Sequence, residues 1–194
     1  MATAHQLFTP LRAATMTTLI GLLAVTGVRI GEALRLRPAD IDTTGGVLTI
    51  LEPKNGADRL IPLHPSTAEQ LKTYQGLPAR IATRPQTDGP LLVTTGGTGY
   101  HRSTIEAHFA KIVDTAGLQP RGRSRPRPHD LRHTFATARM AAAYRSGADP
   151  QRTLTLLATW LGHTSAAHTY WYLTATPELM LLAAHRLESK EPKS

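Results

Sequence analysis

Three short runs of this chain carry residue types that could act on a phosphate. The first is His129-Asp130-Leu131-Arg132-His133, preceded by Pro128 and followed by an apolar, Ala-rich stretch. Residues three apart share a helix face, so His129 and Arg132 point the same way at a helix start. Helix N-termini favour anions, and a His, an Arg and free N–H groups together suit a phosphate. The same pentapeptide also reads as a surface-stacked Arg beside a capping-region His. A metal reading would pair His129 with His133, four apart, and recruit His163 or His168. It is weakened by Asp130 standing where the zincin helix has Glu, and by Arg132 beside the metal.

The second run is Thr26-Gly27-Val28-Arg29-Ile30-Gly31-Glu32. Gly27 allows a tight turn and Arg29 begins the next helix. Glu32 lies one turn on, where it can hold the guanidinium bidentately and make a fixed phosphate clamp. The alternative is an ordinary i,i+3 surface ion pair, worth little. The third run is Leu161-Gly162-His163, followed after Thr164 to Ala167 by His168-Thr169-Tyr170-Trp171-Tyr172. Two of only five tyrosines fall here, and aromatic core packing competes with chemistry for both. Residues two apart on a helix face different ways, so only one of Tyr170 and Tyr172 can enter a given site. Two further features are basic. Lys54 lies between two strand-like runs, where a flexible cation could reach a groove or serve only solubility. Arg121, Arg123, Arg125 and Arg127 crowd a Pro/Gly-rich loop just ahead of His129, either solvated or tracking a DNA backbone.

Composition frames these runs. The chain has 194 residues, 22 Lys+Arg against 14 Asp+Glu, a net charge of +8 and no cysteine. Of the 22 basic residues, 17 are Arg. The isoelectric point of about 10.3 is the footprint expected of a phosphate-backbone binder, though a basic soluble protein or one that meets an acidic partner would share it. Zero cysteine excludes disulfides, thiolate metal sites and thiol nucleophiles. The longest apolar run, Leu19 to Val25, is too short to span a bilayer, and no signal peptide is recognisable. The expected address is cytoplasmic.

The elements that must position these residues read as helices around one small antiparallel sheet, an α+β pattern with no internal repeat. Thr9 is a plausible cap and Pro10 a first helical residue for a helix through Val25, with Gly27 as its stop. A second helix runs about Ile30 to Leu36. Val47 to Leu51 and Arg59 to Leu63 are short and β-branched, with Asn55-Gly56 as a hairpin signal. Leu91 to Thr95 is a candidate third strand. Further helices are expected at about Pro65 to Leu77, Arg102 to Ala116, His129 to Arg145, Arg152 to Leu161, Ala166 to Leu173 and Pro177 to Leu187.

Taken together the three runs resemble the tyrosine recombinase, or phage integrase, catalytic domain, over about Leu11 to Leu187. The family's T-G-x-R-x-x-E segment matches Thr26 to Glu32, its H-x-x-R matches His129 to Arg132, and its L-G-H matches Leu161 to His163. Its nucleophilic Tyr follows that His after eight residues, which lands on Tyr172, and its hairpin Lys falls at Lys54. The resemblance implies a mostly helical catalytic fold with a small antiparallel β-sheet. It implies cleavage and rejoining of double-stranded DNA through a 3′-phosphotyrosyl link. Arg29, Lys54, His129, Arg132, His163 and Tyr172 would be the catalytic set, and Glu32 would orient Arg29. Neither metal nor ATP would be required, and self-association on DNA is expected. The expected organisation is a tail over 1–10, a catalytic domain over 11–187 and a tail over 188–194. The helical N-terminal DNA-binding domain usual in the family is expected to be absent. A non-catalytic DNA-binding protein on the same fold is the alternative.

Overall fold

The computed structural model describes residues 7–51, 58–118, 125–162 and 177–188. Two compact units emerge, one ending at Arg132 and one beginning at His133.

The first unit is organised around α1 (Pro10–Thr26), a 17-residue helix that buries Leu11, Met16, Leu19, Leu22 and Leu23. With the buried Ala13 and Thr15 they recur at spacings of three and four residues and make one largely apolar face. Packed against α1 are α2 (Ile30–Arg35), α3 (Pro65–Gln75), α4 (Pro78–Ile81) and α5 (Arg102–Thr115). Thr9 stands at the N-cap of α1 but makes no side-chain capping bond; Pro10 alone carries the start signal. Gly27 ends α1 in the left-handed conformation (φ 66°), its N–H donating to the Leu23 carbonyl. A residue with a Cβ resists that conformation, which explains glycine there.

A three-stranded antiparallel sheet follows, β1 (Ile41–Asp42), β2 (Val47–Ile50) and β3 (Arg59–Pro62), in that order. The register pairs Leu48 with Ile61 and Ile50 with Arg59. The third strand is thus β1, two residues long, and not the segment expected at Leu91 to Thr95. That segment makes one isolated bridge, Val93 to Gly99. Its polar groups are satisfied elsewhere. Leu91 N–H donates to the Leu36 carbonyl (2.6 Å), the Leu91 carbonyl accepts from Arg80 Nε (3.1 Å), and Val93 N–H donates to the Tyr74 hydroxyl (3.2 Å). Tyr74 and Arg80, both buried, fix this apolar stretch with side chains where a strand would use a ladder.

Helix α6 (Pro128–Ser146) opens in the first unit and continues into the second. The second unit packs Phe135, Ala136, Met140 and Ala141 of α6 with Leu154, Leu157 and Leu161 of α7 (Pro150–Leu161) and Leu179 of α8 (Pro177–Glu188). Asp149 caps α7, accepting from Gln151 N–H, and Gly162 closes it at φ 67°. The helix expected at Ala166 to Leu173 lies outside the described residues. Among the described residues no helix is long and apolar enough to cross a membrane.

Candidate active site

The turn between α1 and α2 builds the site. Gly27 reverses the chain and Arg29 occupies the N-cap of α2 in an extended conformation. An arginine cannot accept the orphan amide bonds of a helix start, so Glu32 at the third helical position does the capping. Its Oε2 accepts from Arg29 N–H at 2.8 Å. Its Oε1 takes Arg29 Nη1 at 2.8 Å and lies 3.0 Å from Arg59 Nη2. Glu32 is 3% exposed, so this is not the surface ion pair that the sequence left open; Arg29 remains 41% exposed and reaches outward. Burial by itself would raise the Glu32 carboxyl. The Arg29 amide and the Arg59 and Arg29 guanidinium groups outweigh it and hold the carboxyl below the usual range.

Arg132 arrives from the first turns of α6 and is 2% exposed. The surface-stacked reading of this residue is therefore overturned. Its Nη1 donates to the Gly27 carbonyl at 2.7 Å. One turn thus orients both arginines: its glycine carbonyl holds Arg132, and two residues later it presents Arg29. The start of α6 repeats the capping device of α2. Asp130 Oδ2 accepts from Arg127 N–H at 2.8 Å, which gives Asp130 a capping role.

His129 is exposed on the same turn of α6. Partial burial of its ring, with Arg132, Arg127 and Arg102 nearby, outweighs Asp130 and holds the imidazole below its ordinary range. His129 and Arg29 line one open cleft of about 850 Å³, together with Arg35, Arg102, Arg125 and Arg127. Five guanidinium groups against Glu32 and Glu106 make it cationic. Arg102 pairs with Glu106 (2.8 Å), and Arg125 pairs with Asp114 near the end of α5. The structure therefore brings Arg29, Glu32, His129 and Arg132 together, with Arg125 and Arg127 on the cleft wall. Lys54, Arg121, Arg123, His163, Tyr170 and Tyr172 lie outside the described residues. Among the described residues no three His, Asp or Glu side chains converge as metal ligands, and His163 and His168, the third ligands that the metal reading would recruit, lie beyond them.

Sequence reasoning missed Arg59, Arg35 and Arg102. Arg59 stands at the head of a strand-like run, and nothing local ties it to Glu32. Arg35 follows Glu32 by three and Arg102 opens α5, signals that a search for basic residues at helix ends could have used.

Residues 1–178 match the model of the phage integrase family. The chain is 40% identical over 177 residues to y4rE of Sinorhizobium fredii, a protein named as an integrase/recombinase, taking in 91% of this chain and 56% of that one. It is 32% identical to the tyrosine recombinase XerC of Rhizobium meliloti, over 84% of this chain and 46% of the other. Among solved structures, the XerH site-specific recombinase bound to palindromic difH substrate, a post-cleavage complex, superposes with a TM-score of 0.72. That match has 26% identity and covers 96% of this chain and 50% of XerH. The chain thus spans about half the length of the curated relatives it matches. Matched along nearly its whole length, and with the helical fold and small sheet of those neighbours, the chain belongs to the phage integrase family.

Proposed function

We propose that residues 11–187 form the catalytic domain of a site-specific tyrosine recombinase that cleaves and rejoins double-stranded DNA. The observation that carries the reading is the pair of arginines held by one turn, Arg132 buried on the Gly27 carbonyl and Arg29 on Glu32, the latter lining a cationic cleft with His129. Two fixed guanidinium groups are the complement of a phosphate whose negative charge grows during attack.

Tyr172 Oη attacks the scissile phosphorus, and the bond to the 5′-oxygen breaks. The products are a 3′-phosphotyrosyl link and a 5′-hydroxyl. A phenol with a pKa of about 10 is a weak nucleophile at neutral pH and needs a proton acceptor. His129, whose surroundings disfavour its charged form, is suited to take that proton or to hold the phosphate. Arg29 and Arg132 bind the non-bridging oxygens and His163 donates to one of them. Lys54 gives the leaving 5′-oxygen its proton. The phosphotyrosyl bond conserves the phosphodiester energy, so a 5′-hydroxyl from a partner strand reverses the step and exchanges strands. Arg125 and Arg127, with Arg121 and Arg123 of the same loop, follow the DNA backbone. Copies of the chain associate on DNA, and the cytoplasm is the place of action.

The test is metal-free. The protein is incubated in EDTA with a duplex nicked beside the cleavage site, so that the 5′-leaving fragment is lost. A denaturant-resistant protein–DNA adduct supports the enzyme. DNA binding without an adduct, even when the remainder of a full-length relative is added in trans, would support the binding-protein alternative.

A further inference from the structure

Arg59 is a half-buried cation at the site that the reaction above does not use. It is the first residue of β3, paired in register with Ile50 of β2, and its side chain is only 11% exposed. Its Nη2 lies 3.0 Å from Glu32 Oε1, the same oxygen that takes Arg29 Nη1. Two consequences follow from electrostatics. A carboxylate matched to one guanidinium makes a neutral pair with little net pull on a phosphate. Shared between two, it offsets less of the charge on Arg29, the more exposed of the two arginines, which reaches the cleft. Sharing also divides the carboxylate's hold on Arg29, so the guanidinium stays oriented while remaining available to an incoming oxyanion.

Resting on the recombinase reading, we propose that Arg59 is a positioning residue of strand cleavage, acting through Glu32 to orient Arg29. The sheet thereby sets an arginine that belongs to a helix. A role limited to fastening β3 onto α2 would affect only folding.

Arg59→Met and Arg59→Lys separate the two roles. The first keeps the aliphatic stem and removes the charge; the second keeps the charge. Cleavage of the nicked duplex is followed at saturating and limiting DNA. The expected result is a loss on the order of 10²-fold in the saturated rate of Arg59→Met, the scale of an ångström-sized misplacement, with a much smaller change in apparent affinity. Arg59→Lys recovers most of the rate. A second readout needs no catalysis: the side-chain ¹⁵N signals of Arg29 in the free protein. In Arg59→Met they should move, and in Arg59→Lys they should stay near those of the unaltered protein. Unchanged Arg29 signals in Arg59→Met would overturn the inference, as would a loss explained wholly by a smaller folded fraction. If the unaltered chain forms no adduct, the recombinase reading fails, and the Arg29 signals still decide whether Arg59 governs that arginine.

Discussion

Arg132 carries a charge into a position where charge is costly to bury, and the Gly27 carbonyl is among what compensates it. Replacing it with Lys swaps a planar fork for a point charge, and a bidentate grip on phosphate is lost. Arg132→Lys should therefore reduce adduct formation on the order of 10²–10³-fold, as when an oxyanion donor is removed. Thermal melting of the same variant checks that folding survives. His129 supplies a pH prediction. Its folded value is lowered, so its contribution to stability is complete above about 6.5 and is lost as pH falls through that value toward the lower folded one. A phosphate placed beside it would favour the imidazolium. Affinity for DNA should thus rise as pH falls below neutrality, by no more than about tenfold per unit for one proton, and His129→Gln should remove that part of the slope. Titrations of both proteins at fixed salt would show it. These residues were legible because their partnerships are local: Arg29 with Glu32 and His129 with Arg132 are three apart. The burial of Arg132 and the approach of Arg59 to Glu32 were not, because they depend on segments brought together only by folding.

The elements follow a shared device. At Arg29, Arg37 and Arg127 an arginine precedes a helical turn, and a carboxylate three residues on accepts the arginine's own amide. The usual Ser or Thr cap is absent, and at Arg29 and Arg37 the same carboxylate also takes the guanidinium. Gly27 is the element-scale hinge of the site. A Cβ at φ 66° costs about 1–2 kcal/mol and would displace the carbonyl that holds Arg132. Gly27→Ala should lower stability by that amount in chemical denaturation and reduce cleavage more than the destabilisation explains. Most helices were legible from apolar spacing and Pro starts. The third strand was misplaced for a physical reason. Leu91 to Thr95 has β-branched, apolar composition, yet Tyr74 and Arg80 satisfy its backbone, while β1 is two residues long and carries no periodic signal.

At the scale of the whole molecule, charge decides what the chain meets. Net charge is +8, and one cleft gathers five arginines. If four or five of them replace counterions on duplex DNA, the slope of log affinity against log salt should be about −3.6 to −4.5. Arg102→Gln should reduce its magnitude by about one, read from binding isotherms across a salt series. A slope near zero would detach the cleft from DNA.

The most direct measurement is to find which residue the DNA is joined to. The trapped adduct is digested with protease and the nucleotide-bearing peptide sequenced, with Tyr172→Phe and Tyr170→Phe run beside it. Attachment at Tyr172, no adduct in Tyr172→Phe and an adduct retained in Tyr170→Phe are the expected results. Attachment at Tyr170, or an adduct that survives in Tyr172→Phe, would contradict Tyr172 as the nucleophile.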